Sequence, residues 1–296
     1  MTLGGPPSAL EPAAQVDTAL LVHAAQDAAA AAGSRVRREL RERRADLYAP
    51  AEHRALEHDV KLALDVDCER EVLRVVRGRF PRHAVLSEEA GFQPGSEPFV
   101  WIVDPLDGTV NFHHGIPFFC SSVACYGTRS LAGDDGSHVL PDGRILGAPL
   151  AGAVYDPLRE EMFLGAAGRE ASLNGARLRP PVARCLDEVV VAVSMGAREE
   201  SVSMLRRALP ILIETARKVR SFGSTALDLV QVAAGRVGAF IQVGTNLWDI
   251  AAAALIVQGA GARVELREYA PGRFRVIAAA AGIFSEVERI VEGTSA

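Results

Sequence analysis

The segment Trp101-Ile102-Val103-Asp104-Pro105-Leu106-Asp107-Gly108-Thr109-Val110-Asn111-Phe112 sets two carboxylates three residues apart around a turn. Phe99 to Val103 is a short apolar run of β-formers and predicts a strand. Asp104-Pro105 is expected to end it, because proline has no ladder N–H and a fixed φ. Gly108 permits positive φ, and Thr109 adds a hydroxyl. A strand closing in an acidic turn suits a hard cation. Carboxylate and carbonyl oxygens fit Mg2+, which keeps several waters and is commonly shared with a substrate phosphate. If a helical turn begins here, the amides of Gly108 and Thr109 face that phosphate. Taken singly, Asp-Pro and Asp-Gly are ordinary loop turns, so the specificity lies in the whole string.

The other acidic candidates are ambiguous when read alone. Glu88 and Glu89 follow a short strand predicted at His83 to Leu86, where paired glutamates are usually a polar loop. Asp249 falls in the first turn of an alanine-rich helix, where an aspartate ordinarily caps the helix dipole. Asp65 and Asp67 are expected at the start of a helix spanning Asp59 to Val76 and have the same ordinary explanation. His113 and His114 have no Cys or Glu partner at zinc spacing, which argues against a zinc site. The alternating charges from Arg35 to Arg44 read as a solvated helix face.

The elements that must position these groups alternate in type. Ala13 to Asp46 predicts a long helix with Val16, Leu20, Ala24 and Ala28 in register and a break at Gly33-Ser34. In the second helix Val66, Glu69, Arg70, Leu73 and Val76 fit a period of 3.6. Phe118 to Tyr126 is strand-like, and Arg129 to Gly147 reads as a long loop. Ala151 to Tyr155 with Glu161 to Leu164 forms a hairpin, and Ala171 to Leu178 turns at Asn174-Gly175. Val189 to Val193 and Arg236 to Val243 are strands. Glu199 to Arg217 is a helix carrying Pro210, and Ser224 caps a helix over Thr225 to Ala234. Arg263 to Leu266 and Phe274 to Ala278 are closing strands, and Ser285 caps a last helix.

The chain has 296 residues, 49% hydrophobic and 23% charged, which suffices for one large core or two fused layers. A net charge of −5 gives neither a nucleic-acid footprint nor a polybasic membrane patch. The four cysteines form no CxxC pair and read as reduced thiols. Residues 1–12 are Gly- and Pro-rich and expected to be disordered. They contain no basic n-region or apolar h-region, and no apolar run reaches membrane length, so a cytoplasmic protein is expected. Residues 13–296 are expected to form one domain, with halves 13–181 and 182–296 meeting near Pro180-Pro181.

The whole string from Trp101 to Phe112 resembles the signature of the inositol monophosphatase family, metal-dependent and lithium-sensitive phosphatases. Further matches occur in family order at Ser87-Glu88-Glu89, Gly223-Ser224-Thr225-Ala226 and Trp248-Asp249-Ile250-Ala251-Ala252. Together they cover most of Asp59 to Ile290. A competing phosphatase superfamily carries Asp-x-Asp-Gly-Thr, but here Pro105 and Leu106 put one residue too many between the aspartates. The resemblance implies an α/β fold, an α+β sandwich of alternating helix and sheet layers, and a homodimer. It implies two or three Mg2+ per subunit held by Glu88, Asp104, Asp107, Asp249 and the Leu106 carbonyl. Thr109, partnered by Asp67 or in another register Asp65, would activate water alongside Glu88. Glu89 would support Glu88, and Lys61 has no clear family counterpart. Gly108, Thr109, Ser224, Thr225 and Gln242 would border a small phosphate ester. Inositol-specific relatives carry Glu where Gln242 stands, so a substrate other than inositol phosphate is expected. Sugar phosphates, histidinol phosphate and 3′-phosphoadenosine 5′-phosphate are the alternatives, as is a regulatory, RNA-polymerase-associated role.

Overall fold

The computed structural model describes residues 17–43, 57–130, 138–194 and 199–293. The expectations for residues 1–12 and for Val16 lie outside them, as does part of the Arg129–Gly147 loop. Two sheets organise the molecule. The first runs β2-β1-β3-β4-β5-β6-β7-β8. Its strands are β1 (Ala84–Ser87), β2 (Gly91–Gln93), β3 (Phe99–Asp107), β4 (Cys120–Arg129), β5 (Ile145–Asp156), β6 (Glu161–Ala166), β7 (Ser172–Leu173) and β8 (Ala176–Arg177). The second runs β10-β9-β11-β13-β12. It comprises β9 (Val190–Val193), β10 (Lys218–Arg220), β11 (Ala239–Thr245), β12 (Arg263–Ala270) and β13 (Arg273–Ala279).

Strand β3 shows how the layers arise. Every residue of it is buried, and its side chains alternate between two cores. Phe99, Trp101 and Val103 enter the core under helices α1 (Thr18–Arg43) and α2 (Glu57–Arg79). Val100 and Ile102 enter a second core between the two sheets. That second core is filled by α5 (Thr225–Ala233) and α6 (Leu247–Ala260). A third core lies on the far face of the second sheet, under α4 (Glu199–Thr215) and α7 (Phe284–Glu292). The order is therefore helix, sheet, helix, sheet, helix, as expected for the layered α/β sandwich. The remaining helix, α3 (Thr109–His113), follows β3 directly.

Helix α6 lies unusually close to the first sheet. Its run Ala251 to Ala254 is buried, and glycines on β5 and β6 receive it. A Cβ at Gly152 would stand 3.0 Å from the Ala252 carbonyl oxygen, and one at Gly165 would stand 3.1 Å from the Ile256 nitrogen. Small residues on both sides bring the backbones together and fix where the N-terminus of α6, with Asp249, must sit.

Several expectations are corrected. Pro105 does not end β3. The pairing with β4 shifts register between Asp104 and Asp107, so the proline sits in a bulge where no ladder N–H is required. Helix α1 runs unbroken through Gly33-Ser34, because Gly33 packs against the Tyr155 ring. The buried stripe of α2 is Leu64, Cys68, Val72 and Val76, while Val66 is 38% exposed. Of the expected stripe, Glu69 and Val76 are buried and Leu73 packs against the core, but Val66 and Arg70 are exposed; both aspartates lie well inside the helix rather than at its start. Ser285 lies inside α7, whose N-cap is Ile283. The hairpin of β5 with β6 and the Asn174-Gly175 turn, with φ of 49° and 82°, are as expected.

Candidate metal centre

The bulge at the end of β3 aims its two aspartates differently. Asp104 Oδ1 accepts the Leu106 amide at 3.0 Å, which closes the turn. Asp107 points across to the second sheet's helix layer. Its Oδ2 accepts the Ser224 hydroxyl at 2.7 Å and the Ala226 amide at 2.7 Å. Ser224 is the N-cap residue of α5, yet its hydroxyl makes no cap bond. Asp107 does that work from another part of the chain, which corrects the expected capping role of the serine. Gly108 follows with φ 91°, and a Cβ there would stand 3.1 Å from Ser224 Cβ. Glycine is needed for both reasons.

Thr109 opens α3 and donates its hydroxyl proton to the Leu106 carbonyl at 3.0 Å. Asn111, unremarked in the sequence, donates to the carbonyls of Phe118 and Phe222 at 2.8 and 2.6 Å. It thereby ties the acidic turn to the Gly223-Ser224 segment, where Gly223 has φ 92°. Thr225, the residue after Ser224, donates separately to Gln242 Oε1 at 2.8 Å, so adjacent residues of one segment reach Asp107 and Gln242.

Asp249 occupies the third position of α6 and forms a reciprocal capping box with Asn246. Its Oδ2 accepts the Thr245 hydroxyl at 2.7 Å and the Asn246 amide at 2.9 Å. Glu88 comes from the turn after β1, where its amide donates to the Val103 carbonyl at 3.2 Å. Glu69 on α2 holds this turn by accepting the Ala90 amide at 3.0 Å. It is 5% exposed and was missed in the sequence. Its position four residues after Asp65 was the available signal.

These acids act on one another. Glu88 is an exposed residue, but its carboxyl end is crowded and pairs with Asp104. Desolvation first, then the charges of Asp249, Glu89 and Asp107, lift it to about 8. Burial and the charges of Glu88, Asp107 and Asp249 push Asp104 well above the carboxylate range. Asp107 rises to about 7 through burial and the charge of Asp249, against the bonds from Ser224 and Ala226. Burial also raises Asp249, although Asn246, Thr245 and Arg273 hold it down. Among the described residues, no group of three or more His, Cys, Asp or Glu side chains is already drawn to ligating distance around one point. Like charges repel, and Asp107 and Asp249 each have their own donors. The donor set nevertheless fits a hard divalent cation. It is all oxygen, it converges from β1, β3 and α6, and its mutual repulsion is what such a cation would relieve.

One expected residue is elsewhere. Asp67 is not brought to Thr109. Its carboxylate accepts from Arg35 at 3.2 Å and from Arg70 at 2.9 Å, and the side chain is 36% exposed. Asp65 is 4% exposed, beside the buried Leu64 and Cys68 of α2. The side chain of Lys61 lies outside the described residues. His113 and His114 stack edge-to-face at 5.2 Å on the far end of α3. Cys120, also unremarked, lies 3.6 Å from Ser224 Oγ and 3.8 Å from Asp107 Oδ2 as a buried thiol.

Comparison with known proteins identifies the family and the fold. The profile of the Inositol monophosphatase family matches residues 17–131 and 145–291. Nus factor SuhB of Pseudomonas aeruginosa is 35% identical over 212 residues, covering 70% of this chain and 72% of that protein. An inositol monophosphatase structure from Anabaena (Nostoc) superposes with a TM-score of 0.74 at 26% identity, covering 95% of this chain and 98% of the other. Mycobacterium tuberculosis SuhB superposes with a TM-score of 0.71 at 31% identity, covering 93% and 97%. No described helix is long and apolar enough to cross a membrane. With the family profile covering residues 17–131 and 145–291 and relatives at 35% identity, the chain belongs to the inositol monophosphatase family.

Proposed function

We propose that the protein is a Mg2+-dependent phosphomonoesterase that hydrolyses a small phosphorylated metabolite with water as the nucleophile. What supports this reading is that Glu88, Asp104, Asp107 and Asp249 lie close enough for their charges to raise one another's pKa. Two or three Mg2+ held there would supply Lewis-acid activation of water and neutralise the phosphate oxygens.

The chain's own residues would do the rest. Thr109 has its proton committed to the Leu106 carbonyl. Its oxygen can therefore only accept, and it would fix a water by one of that water's protons. Glu88, ionised beside the cations, would take the other proton as the water attacks phosphorus. Asp67 is engaged by Arg35 and Arg70, so Asp65, buried in α2, would be the acid that takes over the Thr109 hydroxyl proton when the Leu106 carbonyl serves a cation. The first helical bond of α3 runs from the Phe112 amide to the Gly108 carbonyl. The amides of the preceding turn stay outside that ladder and would orient the phosphate. Ser224, Thr225 and Gln242 would border the leaving group, and Gln242 in place of a carboxylate weakens the case for inositol phosphate.

The likeness to proteins named Nus factor SuhB favours a second reading, a regulatory protein that acts through a partner in transcription. A homodimer is compatible with either reading. Phosphate release from a panel of inositol phosphate, sugar phosphates, histidinol phosphate and 3′-phosphoadenosine 5′-phosphate separates them. Release with Mg2+ that stops in EDTA supports the enzyme. No release from any member of the panel favours the regulatory reading.

A further inference from the structure

Residues 132–144 lie between the two stretches matched by the family profile. The described part of this addition is firmly built in. Leu140 is buried in the core between the two sheets. The Leu140 and Gly143 amides close a turn on Arg144 and Leu140 at 2.8 and 2.9 Å. The Arg144 guanidinium donates to the Glu97 carbonyl at 2.8 Å and the Thr128 hydroxyl at 3.3 Å.

This anchored segment presents His138 to the second sheet. Nδ1 of His138 lies 3.1 Å from both carboxylate oxygens of Glu268, and its ring is 5.6 Å from that of Phe274. Glu268 Oε1 also accepts the Gly272 amide at 2.7 Å, so the same carboxylate pins the turn between β12 and β13. Arg273 leaves that turn and donates to Asn246 Oδ1. Asn246 in turn donates to Asp249 Oδ2 through its backbone at 2.9 Å and its side-chain amide at 3.3 Å.

We propose that the segment around His138 braces the metal centre: His138 fixes Glu268 and the β12–β13 turn, and the turn holds Arg273 on Asn246 so that Asp249 keeps one orientation. His138, Glu268 and Arg273 are positioning residues. The proposal rests on the reading of Asp249 as a metal ligand. Outer partners of ligands commonly contribute to metal affinity in this way.

The test uses the full chain carrying His138→Ala, Glu268→Ala, both together, and His138→Gln. Mg2+ binding is measured calorimetrically on EDTA-stripped protein, and the Mg2+ half-saturation of phosphate release is measured beside it. Direct partners of a ligand cost about 10–100-fold in metal affinity. His138 acts through several links, so each single alanine variant should weaken Mg2+ binding about threefold to tenfold. The double variant should be no weaker than either single one, because both break one path. Turnover at saturating Mg2+ should stay at the wild-type level. His138→Gln, whose amide can still donate to Glu268, should restore most of the affinity. If wild type binds Mg2+ and His138→Ala binds it equally well, the brace is overturned and the metal centre stands. Losses that add in the double variant also overturn it. A wild-type chain that binds no Mg2+ overturns the metal reading and the brace together.

Discussion

Ser224→Ala is the most informative single perturbation of the centre. The Ser224 hydroxyl donates to Asp107 Oδ2 at 2.7 Å, inside a site where Asp107 is 8% exposed. A hydrogen bond to a charged group is worth about 1.5–3 kcal/mol, and here the acceptor cannot turn to bulk water instead. The Ala226 amide, at 2.7 Å, remains on that oxygen. A loss of this size corresponds to about 10–100-fold in affinity for a cation that needs Asp107 ionised and aimed. The variant also removes one of the bonds that hold down a carboxyl already near 7, so its ionisation moves upward. Mg2+ affinity should therefore fall more at pH 7 than at pH 8.5. Calorimetric titration of EDTA-stripped wild type and variant at both pH values measures this, with thermal melts to confirm equal folding. Mg2+ affinity within twofold of wild type at pH 7 would refute the role given to Ser224.

Other outcomes follow from the same structure. Gly33→Ala should destabilise the protein by about 1–3 kcal/mol although alanine favours helix, since its Cβ would stand 2.5 Å from Tyr155 Cε1; denaturant unfolding reads this, and a stabilised variant contradicts the packing. His83 is buried, accepts the Trp101 indole N–H at 3.1 Å, and is lowered from its ordinary 6.5 mainly by desolvation, with Glu97 opposing. A histidine so depressed contributes its full stability above pH 6.5 and loses it as pH falls toward the folded value, so His83→Gln should flatten stability against pH below 6.5. An NMR titration placing His83 above 6.5 contradicts this assignment. On substrate choice, inositol phosphate should not lead a panel of kcat/KM values, and its clear lead would remove Gln242 as the determinant.

Much of the site was legible because its residues are contiguous. Asp104 to Thr109, Glu88-Glu89 and Trp248-Asp249 are short strings whose chemistry is local, and the layered fold followed from the family likeness. What was not legible depended on phase or on contacts between distant segments. Asp65 and Asp67 lie two residues apart, which turns them about 200° around a helix. Choosing between them required the buried stripe. The expected stripe included Val66 and Arg70, whereas the core takes Leu64, Cys68, Val72 and Val76. Reading the stripe from Cys68 and Val72 would have placed Asp65 inside, beside the Glu69 already in the expected stripe, and left Asp67 outside. Ser224 was legible as a cap position but not as a donor to Asp107, which lies 117 residues away. Pro105 was misread because a bulge makes its missing N–H harmless. The brace from His138 to Asp249 crosses three segments with no periodicity in common.

The central claim is that the converging carboxylates hold the cation that drives phosphate hydrolysis. Asp107→Asn tests it most directly, because it keeps the shape and removes one charge from the cluster. Phosphate release is followed against Mg2+ concentration for wild type and variant, on the best substrate of the panel, with circular dichroism to show that both are folded. The account predicts wild-type turnover that requires Mg2+ and a folded variant slower by about 100-fold or more at any Mg2+ concentration. A folded Asp107→Asn protein with near-normal Mg2+-dependent turnover would contradict it.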